Sequence, residues 1–519
     1  MSRNAETLAA LEPQLVWKLF AGLADSPRPS KREGKARAYL LTVARERGLQ
    51  VVEDEIGNLI LHAPATVGRE SAPRIVLQAH IDMVCEKNSD QDHDFDNDPI
   101  RLVLDERDGK QIVRADGTTL GADNGVGVAL ALAAACDADV QRGPLEILLT
   151  VDEEAGMSGV RALTPDSLRG RRLINLDTEE DDAFYIGCAG GADTTLIWDF
   201  SLAPLATPHT CVCNLRVRGL RGGHSGMDIV ENRAAATRLL ARLLLAAPDA
   251  RLVRIEGGSK RNAIAREASA TIVISETTQA RLRSAAERLA DDARRLSFEP
   301  EARIEVSAAP APDEALALSQ ADTARLVQGL IAAPHGVIGM HPRVPGLVET
   351  STNLATLRCE RSRDGRRLLV SAGSLTRSSA TEWKDAVREQ LAAVAALTGA
   401  SLERGSEYGG WAPNVDSPTL GVCKDVYQRL YGAAPRVAAI HAGLECGIIG
   451  ERIPGMDMVS LGPTIRGAHS PDEHVYVESV QKSWRLLLAC LEALSSDEAD
   501  NSYKKDRPRK RKHTANKAC

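Results

Sequence analysis

The stretch that most constrains this chain is an apolar run that breaks abruptly into acids. Within Pro144–Gly156, Leu145-Glu146-Ile147-Leu148-Leu149-Thr150-Val151 gives way to Asp152-Glu153-Glu154. The run is short and almost continuously apolar, the pattern of a strand buried on both faces in a largely parallel sheet. Ligands of open α/β sheets bind beyond the carboxyl ends of such strands. Two adjacent carboxylates leaving a strand there can take separate tasks, one holding a metal and the other moving a proton. Taken alone, the triplet reads more simply as a solvated acidic turn, so its meaning depends on what accompanies it.

Two other apolar runs end in the same way. Arg74–Ala79 leads into His80-Ile81-Asp82, and Arg171–Leu176 leads into Asp177. A tight turn at Gly121–Gly125 holds Asp123 and opens a small-residue helix over Val126–Ala135, and far downstream a loop at 467–473 carries His469. Each residue has an ordinary explanation: His80 and His469 as loop histidines, Asp123 as a turn former, Asp177 as a helix cap. Together they place carboxylates and imidazoles along one sheet edge. Such a set suits two divalent ions about 3.5–4 Å apart that share one carboxylate. Mixed nitrogen and oxygen ligands favour Zn2+, with Co2+ or Mn2+ as alternatives. A glutamate within reach of the activated water can take its proton and pass it to a leaving amine, which is amide hydrolysis.

The rest of the chain frames that site. A length of 519 residues exceeds one ordinary core, and few aromatics with many small and aliphatic residues favour helices packed on sheets, an α/β class. Helical periodicity covers residues 6–24 and 33–48, separated by the Pro- and Ser-rich break Ser26–Ser30. Strands are expected at 50–53, 58–62, 74–79, 111–114, 145–151 and 171–177. Near Gly187–Gly191 the pattern changes to two rounds of strands and amphipathic helices, a doubled α+β module of antiparallel strands with helices on one face. The expected organisation is a catalytic domain over 1–188 and 399–495, with a mixed, mostly parallel sheet flanked by helices. An α+β lid domain over 189–398 is inserted into it, and a disordered basic tail covers 496–519.

Lys504–Lys512 carries seven basic residues and one acid. With a net charge of −7 overall, this leaves the rest of the chain at about −13, no nucleic-acid binder in its folded body. The N-terminal stretch lacks the apolar core of a signal peptide, and no run of about 18 uncharged apolar residues occurs, so a cytoplasmic protein without a membrane partner is expected. Ten cysteines include no C-x-x-C, which argues against a disulfide framework or a cysteine-held zinc and leaves any metal to His and carboxylates.

The chain resembles the co-catalytic zinc peptidases of the M20 family that carry a lid domain, and within them the aminoacyl-histidine dipeptidases of the carnosine-splitting type. The resemblance spans about Leu11 to Leu494. It rests on LQAHIDMV at 77–84, DGTTLGADNGVG at 116–127, LLTVDEEAGM at 148–157, INLDTEE at 174–180 and GCAGGAD at 187–193. LRGGHSG at 220–226, RNAIARE at 261–267, HAGLECG at 441–447, MDMVSLGPT at 456–464 and HSPDE at 469–473 extend it. The resemblance implies that His80 and Asp177 bind one metal, Glu154 and His469 the other, and that Asp123 bridges them, with a cis bond between Asp123 and Asn124. It makes Glu153 the general base and later acid, and Asp82 the acceptor that fixes the tautomer of His80. His224 becomes the lid histidine that polarises the scissile carbonyl. Asn262 and Arg377 are candidate clamps on the substrate, Arg377 for its terminal carboxylate, and Glu445 a candidate partner for its ammonium. The implied substrates are Xaa-His dipeptides, β-alanyl-histidine among them, and other unblocked dipeptides, with a homodimer as a possible assembly. The alternatives are another amide hydrolase of the clan, such as a tripeptidase or N-acyl amino acid deacylase, or a binding protein on the same fold. Ala265 stands where relatives often have proline, and the basic tail has no counterpart in the family pattern.

Overall fold

The computed structural model describes residues 2–205, 210–310 and 316–496. The chain divides into two compact units, one of residues 2–186, 414–438 and 448–496 among those described, the other of Gly187–Pro413 and Ala439–Gly447. The tail expected to be disordered lies, from residue 497 onward, outside the described residues.

The first unit begins with three helices, α1 (Arg3–Thr7), α2 (Gln14–Ala24) and α3 (Gly34–Glu46). The single helix expected over 6–24 is thus two. Pro13 is the N-cap of the second, a position where its missing N–H costs no helical hydrogen bond and where it biases the residue before it away from helix. Eight strands follow before the chain leaves the unit: β1 (Gln50–Glu53), β2 (Leu59–Ala63), β3 (Ile75–His80), β4 (Leu102–Arg107), β5 (Lys110–Ala115), β6 (Leu145–Thr150), β7 (Arg172–Asn175) and β8 (Ala183–Cys188). Between β5 and β6 lies helix α4 (Ala122–Cys136).

The main sheet runs β1-β2-β6-β3-β7, then strand Asp457–Ser460, β8 and strand Arg436–Ile440. β6, β3, β7 and Asp457–Ser460 are parallel neighbours. Every residue of β3, β6 and β7 is buried, which is why these segments read as continuous apolar runs instead of alternating ones. Ile75, Leu77, Ala79, Leu145, Ile147 and Leu149 share a core with α2 and α4, each buried Leu or Ile stabilising by about 2 kcal/mol. α4 is buried nearly all round; its Ala and Gly residues let it pack closely on β3 and α2.

β4 and β5 do not join the main sheet. They form a four-stranded antiparallel sheet with His474–Tyr476 and Ile465–Arg466, and β4 has no counterpart in the sequence expectation. This small sheet brings a distant part of the chain to the strand before α4.

In the second unit a nine-stranded antiparallel sheet runs Arg303–Ala308, Thr210–Arg218, Ala268–Ser275, Arg251–Gly257, Val348–Arg361, Arg367–Ser378, Gly190–Ser201, Ser401–Tyr408, with Gly336–Met340 also on Val348–Arg361. Its two halves meet through the pair Gly257 and Leu357. Helices Ala236–Leu244, Glu276–Leu296, Gln320–Ala332 and Thr381–Thr398 share one core with the sheet, while Arg216, Arg254 and Ser269 on other positions are exposed. The return to the first unit comes at 414, not 399. Gly399, in a left-handed conformation at the end of the last helix, turns the chain back to the sheet edge, where Ser401–Tyr408 pairs with Gly190–Ser201. A mostly exposed edge strand carries no apolar pattern that would reveal which sheet it joins. No helix among the described residues is long and apolar enough to cross a membrane.

Candidate active site

β6, β3 and β7 are adjacent and parallel, so their carboxyl ends share one edge. His80 is the last residue of β3, Glu153 and Glu154 follow β6, and Asp177 follows β7. Asp123 lies at the start of α4, where its φ and ψ are not helical and its bond to Asn124 is cis. His469 comes from the loop between Ile465–Arg466 and His474–Tyr476. His474 pairs with Arg114 of β5, and this carries His469 to the turn that follows β5.

The side chains converge in two groups that share Asp123. His80, Asp123 and Asp177 form one; Asp123, Glu154 and His469 form the other, each with ligand atoms within 4.8 Å of one another. His80 Nε2 lies 3.0 Å from Asp123 Oδ1 and 3.3 Å from Asp177 Oδ1. His469 Nε2 lies 3.3 Å from Asp123 Oδ2 and 3.1 Å from Glu154 Oε1. The two oxygens of Asp123 therefore face two different histidines. Glu153 joins His80 and Glu154 in a third group of the same dimension.

The electrostatics show what is in excess. Glu154 Oε1 and Asp177 Oδ1 are buried and accept no hydrogen bond of good geometry. Burial, with the charges of Asp123 and Glu154, pushes the Asp177 carboxyl up to about 7 against the pull of His80. The hydrogen bond to Asp123 and the adjacent Glu154 carboxylate push His469 up to about 11. Carboxylates outnumber imidazoles here, and cations bound between them would relieve both the repulsion and the unsatisfied oxygens. The donor set of His nitrogen and carboxylate oxygen fits such ions.

Asp82 does more than the sequence suggested. The His80 Nδ1 ring nitrogen lies 3.2 Å from the Asp82 carbonyl oxygen and 3.5 Å from its carboxylate. The carboxylate itself accepts from the amides of Glu153 and Glu154, at 3.0 and 3.1 Å, and from the Ser30 hydroxyl at 2.7 Å. Although burial opposes it, hydrogen bonds from His80, Ser30 and the Glu153 amide hold its pKa down to about 2. Glu473 was named in the sequence only as part of HSPDE. Its Oε2 accepts from the amides of Leu120 and Gly121, at 2.8 and 2.9 Å, and its Oε1 from that of Asp123 at 3.2 Å, so it holds the backbone on both sides of the turn.

The remaining candidates lie in the second unit. Gly223 and His224 pair with Ile264 and Ala263, and the Asn262 carbonyl accepts from the Ser225 amide at 2.8 Å; the Asn262 side chain is exposed. His224 Nδ1 accepts from the amides of Gly226 and Met227, and burial and the Arg377 charge lower its pKa, keeping the ring neutral. Arg377, 4% exposed, reaches the Tyr408 hydroxyl at 3.0 Å, His224 Nε2 at 3.3 Å and the Ser225 hydroxyl at 3.4 Å. Tyr408 and Ser225 had no assigned role in the sequence; Tyr408 has no motif around it, whereas Ser225 sits beside His224 in LRGGHSG. Glu445 is fully buried at the start of helix Glu445–Arg452.

His441 gives a pH test of this unit. Its Nε2 lies 2.7 Å from the Ser351 hydroxyl, and burial and the Arg377 charge push its pKa down to about 3. Below the ordinary value of 6.5 the unfolded chain takes a proton that the native imidazole refuses. The contribution is whole above 6.5 and is lost as pH falls toward 3, at about 1.4 kcal/mol per pH unit. His441→Asn should flatten the pH dependence of unfolding between about pH 6 and 4 by that slope. Urea titrations of both proteins measure it, and parallel pH profiles would refute it.

Residues 76–493 match the description "Peptidase family M20/M25/M40". The chain belongs to this family. It is 39% identical to the cytosol non-specific dipeptidase of Escherichia coli (strain K12) over 492 residues, 94% of this chain and 99% of that one. It also superposes on the aminoacylhistidine dipeptidase of Vibrio alginolyticus with a TM-score of 0.84 and 40% identity, covering 94% of this chain and 98% of that structure. A tripeptidase from Staphylococcus aureus, at 14% identity and a TM-score of 0.55 with 93% and 99% coverage, shares the fold. The family's peptidases are metal-dependent, and the clusters at the sheet edge are where this member has residues able to hold metal.

Proposed function

We propose that this protein is a two-metal dipeptidase acting on unblocked dipeptides, Xaa-His dipeptides such as β-alanyl-histidine among them. The observation that carries the reading is Asp123, whose two oxygens face His80 and His469 at 3.0 and 3.3 Å, the arrangement of a carboxylate shared by two ions. His80 and Asp177 would hold one ion, Glu154 and His469 the other, most simply Zn2+. When bound, the ions supply Lewis-acid activation of a water and of the scissile carbonyl. Glu153 takes the proton that the water loses as its oxygen bonds to the carbonyl carbon, and delivers it to the amine as the C–N bond breaks. Neutral His224 donates to the carbonyl oxygen as negative charge gathers there. Arg377 takes the terminal carboxylate, with Asn262 beside His224 and Glu445 as further contacts to the substrate. The names of the E. coli and Vibrio relatives support the substrate class.

The test is metal content and turnover on the purified protein. Two ions per chain are expected, with β-alanyl-histidine hydrolysis abolished by a chelator and restored by Zn2+. N-acetylated dipeptides should be cleaved at least about 100-fold more slowly, since a site built for an ammonium leaves its acceptors unpaired. Equal rates on acetylated and free substrates would shift the reading to a deacylase.

A further inference from the structure

The segment Ser26–Gly34, which covers the break Ser26–Ser30 and the expected start of the following helix, sends three polar side chains beneath the metal centre. Arg28 is 1% exposed. Its Nη1 donates to the carbonyls of Ile81 and Asp82 at 2.9 and 3.1 Å, and its Nη2 to that of Gly121 at 2.5 Å. Gly121 has φ of 69°, and a Cβ there would stand 2.4 Å from Arg28 Nη2, so this turn and the guanidinium are mutually fitted. The Ser30 hydroxyl donates to Asp82 Oδ2, the same oxygen that takes the Glu154 amide. Buried Glu33 accepts through Oε1 from the amide of Lys31 at 2.7 Å and from that of Asp152 at 3.1 Å. Asp152 itself holds a left-handed φ of 58° just before the glutamate pair.

Three loops that carry ligands therefore end on one nine-residue segment: 80–82 through Arg28 and Ser30, 121–123 through Arg28, and 152–154 through Glu33 and, by way of Asp82, Ser30. Arg28 donates only to carbonyls, so its charge is spent on no single carboxylate and lies among Glu473, Asp82 and Asp123. We propose that Arg28, Ser30 and Glu33 are positioning residues that hold these loops in metal-binding register before metal arrives. Arg28 also supplies the positive charge that lets the carboxylates gather.

This rests on the two-metal reading, and the test separates the two. Full-length protein and variants are stripped with chelator, and Zn2+ uptake is followed against a competing chromophoric chelator. Ser30→Ala and Glu33→Met should bind at least one ion about 10–100-fold more weakly, the usual effect of removing a group that orients a ligand, and Arg28→Met should weaken both. Ser30→Thr, which keeps the hydroxyl, should recover affinity to within about threefold of wild type. Arg142→Met is the control. Arg142 is also buried and clamps the carbonyls of Ala134, Ala135 and Pro64, away from the metal centre, so its loss should lower stability without lowering Zn2+ affinity. Unchanged affinity in Ser30→Ala and Glu33→Met, or an equal loss in Arg142→Met, would overturn the proposal. Wild-type protein that takes up no Zn2+ would instead remove the two-metal reading and this inference with it.

Discussion

Glu153→Gln should keep both ions and lose about 10^2–10^4-fold in kcat, the range expected when a positioned general base is removed. The substitution is nearly isosteric, and the backbone at this position is held by the hydrogen bond its amide donates to Asp82 Oδ1 at 3.0 Å, so the loop should not move. In the proposed mechanism, what disappears is the capacity to take a proton and return it to the amine. The geometry also allows a rival role, because Glu153 sits with His80 and Glu154 in a group of ligand dimensions. Metal content measured beside kcat and KM separates the two. A variant with two ions and normal KM but negligible kcat makes Glu153 the base; loss of one ion makes it a ligand; full activity removes it from the chemistry.

Arg377→Met should act in opposite directions on binding and on stability. The three groups within hydrogen-bonding distance of the guanidinium are all uncharged: two hydroxyls and a neutral imidazole. A buried cation held only by neutral groups is costly in the free protein, and an incoming carboxylate would compensate it. Replacing it with an apolar chain of similar length should leave thermal stability unchanged or slightly raised. A charge-assisted bidentate contact is worth about 2–3 kcal/mol, so kcat/KM on a free dipeptide should fall about 30–150-fold. The matching dipeptide amide has no carboxylate to lose and should be cleaved alike by both proteins. Equal losses on the acid and the amide, or a marked drop in melting temperature, would assign Arg377 to structure instead.

Several parts of the site were legible without coordinates because they are local. A six-residue apolar run ending in His or acid marks a buried strand and its carboxyl end at once, and three such runs brought His80, Glu153, Glu154 and Asp177 into consideration. Other parts were illegible. Nothing near Ser26–Gly34 signals that Arg28, Ser30 and Glu33 turn inward, since Pro, Ser, Arg and Glu in a row are the ordinary composition of an exposed loop. Ser401–Tyr408 likewise offered no way to tell which sheet it would extend.

The sequence by itself determined the buried strands and the chemical character of their ends, because burial on both faces demands continuous apolar residues and their polar exits stand out against them. The tertiary structure decided which ends are neighbours: β6, β3 and β7 lie side by side although residues 81–144, 64 in all, separate β3 from β6. It also decided that His469 reaches Asp123, through strand pairing between His474–Tyr476 and β5 across more than 350 residues. Such pairings are set by backbone hydrogen bonds that any residue but proline can make, so side-chain identity leaves little trace of them along the chain.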